Sequence, residues 1–181
     1  MELESLYIFK MKETKKTMTW LGKRKETIFL GQTVCYPGSP MFASFENVPK
    51  EKKIEFPVTE DMQMGVSIGL ALEGKIPISV FPRMDFLICA INQLVNHLDK
   101  VKQTSNNEFN PGVIIRTKIG SSKPLYPGHQ HCGDYTKMLR AGLKNTRVIK
   151  LNKVENLLKE YQTAYKFAKN SGISTILIEM P

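Results

Sequence analysis

The stretch FPVTEDMQMGVSIGLALEG, residues 56–74, decides how the chain is organised. A short apolar start leads into a helical segment that begins with two acids and carries Gly65, Gly69 and Gly74. A glycine inside a helix costs up to ~1 kcal/mol relative to alanine. Gly65 and Gly69 are four residues apart, on one face of the predicted helix, where they let a backbone approach closely. That neighbour is either another helix or chain, or an element packed tightly within the same chain.

Outward from this stretch, strand-like and helix-like segments alternate. Apolar runs bounded by turn residues predict strands, and apolar residues at helical spacing predict helices. Alternation of this kind, with strands that are apolar throughout, is typical of a parallel sheet covered on both faces. We therefore predict an α/β fold with a mostly parallel sheet of about six strands and helices on both faces. The strands are expected at 26–31, 53–58, 77–81, 112–120, 147–151 and 173–180, and the helices at 59–74, 84–101, 135–142 and 153–172.

Three segments with chemically useful side chains directly follow predicted strands. They are Glu60 after strand 53–58, the turn 81–86 after strand 77–81, and the loop with His129 and His131 after strand 112–120. Ligands of open parallel sheets bind beyond the carboxyl ends of the strands, so these segments are expected at the edge that holds the binding site. By position alone, Glu60 is better explained as an acid in a first helical turn, where the helix dipole favours it.

Charge is unevenly distributed along the 181 residues. The net charge is +9, and residues 10–25 hold seven basic residues against Glu13 alone. Such a segment suits nucleic acid or an acidic partner. A solvated face of an amphipathic helix is the preferred explanation, because no basic patch interleaved with aromatic residues supports binding to single strands. We divide the chain into a basic, helical N-terminal segment, 1–25, and a single α/β domain, 26–181, and we expect no nucleic-acid partner.

Composition and motifs argue against several other classes. No apolar run approaches the ~20 residues that span a bilayer, so no membrane association is expected. Cys35, Cys89 and Cys132 are widely spaced, which fits a reduced cytoplasmic protein without a zinc site. The chain lacks the dinucleotide and P-loop glycine motifs and the GxSxG elbow. It also lacks an Asp/Asn group suited to a magnesium–diphosphate site, so we expect no metal ligands in this chain.

Taken together, three blocks resemble the pyrimidine-binding domain of thiamine-diphosphate enzymes. The resemblance is strongest to the first domain of the beta subunit of 2-oxo acid dehydrogenase decarboxylase components, and transketolase has an equivalent domain. It extends from about residue 28 to residue 179. The blocks are PVTEDMQMGVSIGLALEGKIPISVFPRMDF (57–86), which includes the family's G-x-x-P and -x-D-F- elements, LICAINQLVNHLDKV (87–101), with its Asn-Gln-x-x-Asn, and HQHCGDY (129–135), with its Gln-His pair.

This resemblance implies a role for each site residue. Glu60 matches the family's acid, whose carboxyl group binds ring nitrogen N1′ of the cofactor and promotes loss of a proton from the thiazolium carbon. Burial would disfavour the charged form of this carboxyl and suit it to acid–base work. Phe86 is expected to stack on the aminopyrimidine ring, with Phe81 and Pro82 lining the same wall. His131 matches a histidine that faces the substrate, and His129 is the nearby substitute.

The departures from the family imply a partner. The family's diphosphate-binding domain and its second C-terminal domain have no counterpart in the 181 residues. We therefore expect a split enzyme in which a separate subunit holds the diphosphate and Mg²⁺ of thiamine diphosphate, within a hetero-oligomer such as a heterotetramer. The expected reaction is decarboxylation or ketol or acyl transfer on a 2-oxo acid or ketose. The alternative is a non-catalytic scaffold or regulatory subunit derived from such a domain.

Overall fold

Six parallel strands form one sheet in the centre of the computed structural model, which describes residues 2–123 and 126–181. The strand order is β2-β1-β3-β4-β6-β5, and every neighbouring pair is parallel. The predicted fold class, an α/β sheet of about six strands, is confirmed. The strands are β1 (Thr27–Gly31), β2 (Lys53–Glu55), β3 (Ile76–Phe81), β4 (Ile114–Lys118), β5 (Arg147–Leu151) and β6 (Thr175–Glu179).

Helices cover both faces of the sheet. Parallel strands need crossover connections, and helices supply most of them here. The α-helices are α1 (Glu2–Gly22), α2 (Pro40–Ala43), α3 (Glu60–Leu72), α4 (Met84–Leu87), α5 (Val101–Thr104), α6 (Thr136–Gly142) and α7 (Leu157–Ser171). Short 3₁₀ turns lie at Lys50–Lys52, Ile88–Ala90, His129–His131 and Val154–Asn156, and a π-helical segment covers Gln93–Leu98.

Two apolar clusters lie on opposite faces of the sheet. One joins α1 and α7 to the sheet and includes the fully buried Met18, Leu21 and Tyr161. The other joins α3, the segment after β3 and α6 to the sheet, with Met64 and Leu94 among its buried members. The central strands β3 and β6 are buried at every position, which explains why their sequences, IPISVF and TILIE, are almost continuously apolar.

The N-terminal segment contributes to the first of these clusters. Helix α1 ends at Gly22, and its last turns pack against α7. The rings of Trp20 and Tyr165 meet edge to face with centroids 5.4 Å apart. The inner face of the basic segment is therefore a core element, whereas its outer face carries the lysines.

The predicted helix 84–101 is wrong as a single α-helix. The chain forms α4, a 3₁₀ turn and a π-helical segment in succession, and the N–H of Asp99 donates to the carbonyl of Leu94. The cause is a distant contact. The buried carboxylate of Asp99 accepts hydrogen bonds from the backbone N–H groups of Lys144, Asn145 and Thr146. These bonds hold the C-terminal end of the segment against a loop that is distant in the sequence.

The predicted strand 53–58 is also shorter in the structure. β2 ends at Glu55. Pro57 has no N–H to continue the hydrogen-bond ladder, so the chain leaves the sheet before α3.

Candidate active site

Segments that follow four neighbouring strands lie at the carboxyl edge of the sheet. β1 leads into Gln32, β2 into α3 and Glu60, β3 into Pro82, and β4 into the loop with His131. The order β2-β1-β3-β4 creates a topological switch point between β1 and β3, because the connections from these strands run to opposite sides. Open parallel sheets bind ligands in the crevice at such a point. The candidate site is therefore built on this edge.

Glu60 is the first residue of α3 and is only 9% exposed. Its Oε1 accepts a hydrogen bond from Nε2 of Gln32 at 3.0 Å. Within residues 2–123 and 126–181, no other side chain donates to this carboxylate. The preceding Thr59 makes no side-chain cap, although it occupies the cap position. Glu60 thus combines burial with one carboxylate oxygen, Oε2, to which no described residue donates.

A tight turn after β1 holds Gln32 in place. Gly31 has a φ of 147°, and a Cβ at this position would lie 2.2 Å from a carbonyl oxygen of β3, so no side chain fits. Thr33 adopts a φ of 61°, a strained value for a β-branched residue. The N–H groups of Thr33 and Cys35 both donate to the carboxylate of Glu55, each at 2.7 Å. The turn is therefore fixed on both sides of Gln32.

The rings of Phe86 and His131 form a second pair of predicted site residues. Their centroids are 5.5 Å apart and their planes meet at 84°. Nδ1 of His131 is buried and has no hydrogen-bond partner in the described part of the chain. An aromatic ring beside an unpartnered imidazole nitrogen can hold a planar group and exchange a proton with it.

Two backbone contacts fix the loop that carries His131. A Cβ on Gly120 would lie 1.9 Å from the carbonyl oxygen of His131, so the two loop segments touch as only glycine allows. The N–H of Gly133 donates to the carboxylate of Asp85, with both oxygens at 3.2 Å. Because Asp85 precedes Phe86, this bond places the loop and the aromatic ring together.

The remaining predicted site residues are placed differently. Phe81 is completely buried in the core and presents no surface to a ligand in this structure. Pro82 is half-buried at the end of β3. No hydrogen bond or ring contact between described residues joins Glu60 to Phe86 or His131, so the site consists of two separate pairs on one edge.

Sequence reasoning missed the glutamines that support the site. Gln63 is fully buried one turn after Glu60, and its Nε2 donates to Oγ of Ser79 and to the carbonyl of Val80, both at 3.1 Å. Gln32 also went unassigned, although it directly follows a strand at the edge where ligands bind. An amide at that position, and another on the buried face of α3, were the available signals.

Arg116, in β4, forms a structural ion pair rather than a contact with a substrate. Both residues of an ion pair with Glu179 are buried, and the atoms Nε and Oε1 lie 2.8 Å apart. Ser44 and Tyr161 complete the hydrogen bonds of this pair. Burial opposes ionisation of the Glu179 carboxyl, but the charge and hydrogen bonds of Arg116 outweigh it, so the pKa of Glu179 lies below its usual value. Arg116 is therefore structural.

The described residues contain neither a cluster of metal-binding side chains nor a helix that could span a membrane. Residues 2–123 and 126–181 contain no group of three or more His, Cys, Asp or Glu side chains that could hold a metal ion. No helix in this part of the chain is long and apolar enough to cross a membrane.

Relatives in sequence are beta subunits of dehydrogenases. No family model matches the chain. The chain is 29% identical over 102 residues to the 2-oxoisovalerate dehydrogenase subunit beta of Bacillus subtilis, covering 54% of this chain and 31% of that protein. It is 30% identical over 112 residues to the pyruvate dehydrogenase E1 component subunit beta of Cyanidium caldarium, covering 60% and 34%. The chain is thus similar in sequence to dehydrogenase beta subunits. It spans about a third of the length of these curated relatives.

Solved structures share the fold of this chain. A split gene transketolase, described as an inactive beta4 tetramer, superposes with a TM-score of 0.70 over 93% of this chain and 50% of that chain, at 18% identity. A 2-oxoglutarate:ferredoxin oxidoreductase from Magnetococcus marinus gives 0.61 over 94% and 28%, at 14% identity. The resemblance to the pyrimidine-binding domain of this group of enzymes is thereby confirmed at the level of sequence relatives and fold.

Proposed function

We propose that this chain is the aminopyrimidine-binding subunit of a split enzyme that depends on thiamine diphosphate. The observation that carries the proposal is the carboxylate of Glu60. This carboxylate is buried at the carboxyl edge of the sheet, beside the switch point. Gln32 donates a hydrogen bond to Oε1, and no described residue donates to Oε2. A carboxyl group in this setting fits a ligand that offers a ring nitrogen, because Oε2 can share a proton with it.

Each site residue then has a physical task. Thiamine diphosphate, when bound, supplies a carbon acid that becomes a nucleophile after losing a proton. Glu60 shares a proton between its Oε2 and the ring nitrogen of the cofactor. The hydrogen bond from Gln32 to Oε1 fixes the carboxylate so that Oε2 is directed outward. Phe86 offers its ring for stacking, with Pro82 along the same wall. Phe81 supports this wall from the core rather than contacting the ligand.

His131 is assigned to the substrate side of the site. Its Nδ1 has no partner among the described residues, so this nitrogen is available to donate a hydrogen bond or a proton to a substrate oxygen. The contact with Phe86 fixes the plane of the imidazole ring, while Gly120 and Asp85 fix the loop. The substrate class that fits is a 2-oxo acid or a ketose, since both carry a carbonyl oxygen next to the bond that is cleaved or formed.

The diphosphate and Mg²⁺ are assigned to a separate subunit. Support comes from the outer face of α3, where Met62 is 54% exposed and the Cβ position of Gly69 has no described atom within 4 Å other than its own helix backbone. Val58, before the helix, is 77% exposed. A helix of another chain can pack closely on such a face. We propose a hetero-oligomer, such as a heterotetramer, with the cofactor bound where the subunits meet.

The test is a pair of isosteric substitutions in neighbouring acids of α3. Glu60→Gln in the reconstituted complex is expected to lower turnover by about a hundredfold or more, as the loss of a general acid–base does. Asp61→Asn is the matched control, because Asp61 is exposed and bonds only to Gln93 in the described structure. Equal turnover of Glu60→Gln and the wild type, with an unchanged melting temperature, would overturn the catalytic role and favour a scaffold subunit.

A further inference from the structure

A basic groove runs along the outer face of α1, remote from the proposed catalytic pairs. It has a volume of about 710 Å³ and is lined along α1 from Tyr7 to Lys23, with Asn47 and Leu158 completing the wall. At 1.5 Å per residue, the lined stretch of helix is about 24 Å long. A groove of this length accommodates a helix of about 16 residues laid alongside α1.

The floor of the groove is apolar and open to solvent. Tyr7 is 53% exposed and Ile8 is 61% exposed, and Met11 and Trp20 are half-buried beside them. The inner face of α1 already packs in the core through Met18. Trp20 also packs against the core through Tyr165, whereas Tyr7 and Ile8 stay on the surface, where adjacent exposed apolar side chains offer a contact site.

Lysines form the rim of the groove. Four of them line it, and only two have an acid opposite: Lys15 meets Glu46 at 2.5 Å, and Lys16 meets Glu13 at 3.4 Å. The other two, Lys12 and Lys23, are exposed and have no acidic partner among the described residues. Like charges spaced four residues apart, as at 12 and 16, weaken a helix. The unpaired charges of Lys12 and Lys23 therefore do not stabilise α1.

We propose that this groove docks an acidic, amphipathic helix of a protein partner. The apolar face of that helix would lie on Tyr7, Ile8 and Met11, and its carboxylates would meet the ammonium groups of Lys12 and Lys23. Charge complementarity selects an acidic partner, and the length and apolar floor select a helix. This inference is independent of thiamine chemistry.

Two other classes of partner fit the surface less well. A lipid bilayer takes up the free apolar face of an amphipathic helix, but the main apolar face of α1 is buried in the core and the open face is concave. Nucleic acid is held mainly through phosphates, which need donors on the protein rather than an apolar floor. Preferred binding of either class through the lysines of the groove would contradict the proposal.

The experiment uses the full chain and two synthetic 18-residue helical peptides with Leu and Phe on one face. One peptide carries Glu on the other face, and the second carries Gln there. Fluorescence anisotropy should show binding of the Glu peptide that weakens as salt rises, and little binding of the Gln peptide. The double variant Lys12→Glu/Lys23→Glu should weaken binding by about tenfold or more, because it replaces two attractive charge pairs by repulsive ones.

Matched controls separate the groove from general charge. Lys75→Glu/Lys137→Glu changes the net charge equally at exposed lysines away from α1 and should bind the Glu peptide nearly as well as the wild type. Ile8→Ser/Met11→Ser should weaken binding without altering its salt dependence. Equal loss in both lysine variants, or no binding at low salt by a folded protein, overturns the proposal. Tighter binding of anionic vesicles or duplex DNA through Lys12 and Lys23 also overturns it.

Discussion

The side-chain amide of Gln32 donates a hydrogen bond to Oε1 of Glu60 at 3.0 Å, and this contact joins the ends of β1 and β2 at the switch point of the sheet. It is the direct protein contact to the acid on which the proposed chemistry depends. The turn that carries Gln32 is tied to Glu55 by two backbone hydrogen bonds. The position of the carboxylate is therefore set by a chain of bonds that starts in the sheet.

Loss of the Gln32 amide should misplace Glu60 without unfolding the protein. We expect Gln32→Leu to lower the turnover of the reconstituted complex by about tenfold to a hundredfold, because small misplacements of reacting groups have effects of this size. Steady-state kinetics and thermal unfolding provide the two measurements. Gln103→Leu, at an exposed position on α5, is the matched control. Unchanged turnover in Gln32→Leu contradicts the positioning role.

A larger side chain at Gly69 should block assembly and leave the fold intact. Apart from its own helix backbone, no described atom lies within 4 Å of the Cβ position of Gly69, so Gly69→Leu meets no obstacle among the described residues. It projects instead from the face proposed to contact another subunit. Gly142→Leu is the control, since its Cβ position is equally open but lies on α6. Sedimentation should show weaker assembly with the partner for Gly69→Leu only, and intact assembly in both variants argues against this interface.

Removal of Arg116 alone should strongly destabilise the fold. Arg116→Met leaves the buried carboxylate of Glu179 unpaired, which typically costs about 3–5 kcal/mol of unfolding free energy. The double variant Arg116→Met/Glu179→Leu should recover much of that loss, because it removes both charges. Urea unfolding of the two single variants and the double variant completes a cycle. A double variant as unstable as the sum of the singles shows that the pair is not coupled.

Acid should weaken the contact between the start of β1 and α7. Glu26 accepts hydrogen bonds from Lys169 at 2.5 Å and Tyr165 at 2.7 Å, and the bond from Lys169 does most to lower the pKa of Glu26 from 4.5 to about 2. Because the folded pKa lies below the unfolded one, this stabilisation is complete above about pH 4.5 and disappears as the pH falls toward 2. The difference in melting temperature between wild type and Glu26→Gln should therefore shrink over that range. A constant difference contradicts the assignment.

The sequence predicted most of the sheet because its signals are local. Strand 147–151 matches β5 at both ends, and strand 26–31 differs from β1 by one residue. The broken helix after β3 could not be predicted, since Leu87, Ile91, Leu94 and Leu98 repeat as in an α-helix. The π-helical turn depends on Asp99 and a loop that is distant in the sequence.

For the candidate site, the sequence likewise predicted the position of residues but not the contacts between them. The rule that ligands bind at the carboxyl ends of strands placed Glu60 and His131 at the expected edge, and only the resemblance to a known family implied a role for each. The contacts that position these residues could not be predicted from the sequence, because they join residues that are distant along the chain. Gln32 bonds to Glu60, which is 28 residues away in the sequence, and Gly133 bonds to Asp85, which is 48 residues away. The pairing of Arg116 with Glu179, 63 residues away, also depends on a contact distant in the sequence.

The most direct test is the binding of thiamine diphosphate with Mg²⁺, measured by calorimetry on this chain alone, on a candidate diphosphate-binding subunit, and on the two together. The account predicts binding only by the mixture, with weaker binding when the chain carries Glu60→Gln and unchanged binding when it carries Asp61→Asn. Absence of binding in every mixture of well-folded subunits, or equal binding with Glu60→Gln, would contradict the assignment of Glu60 to the cofactor.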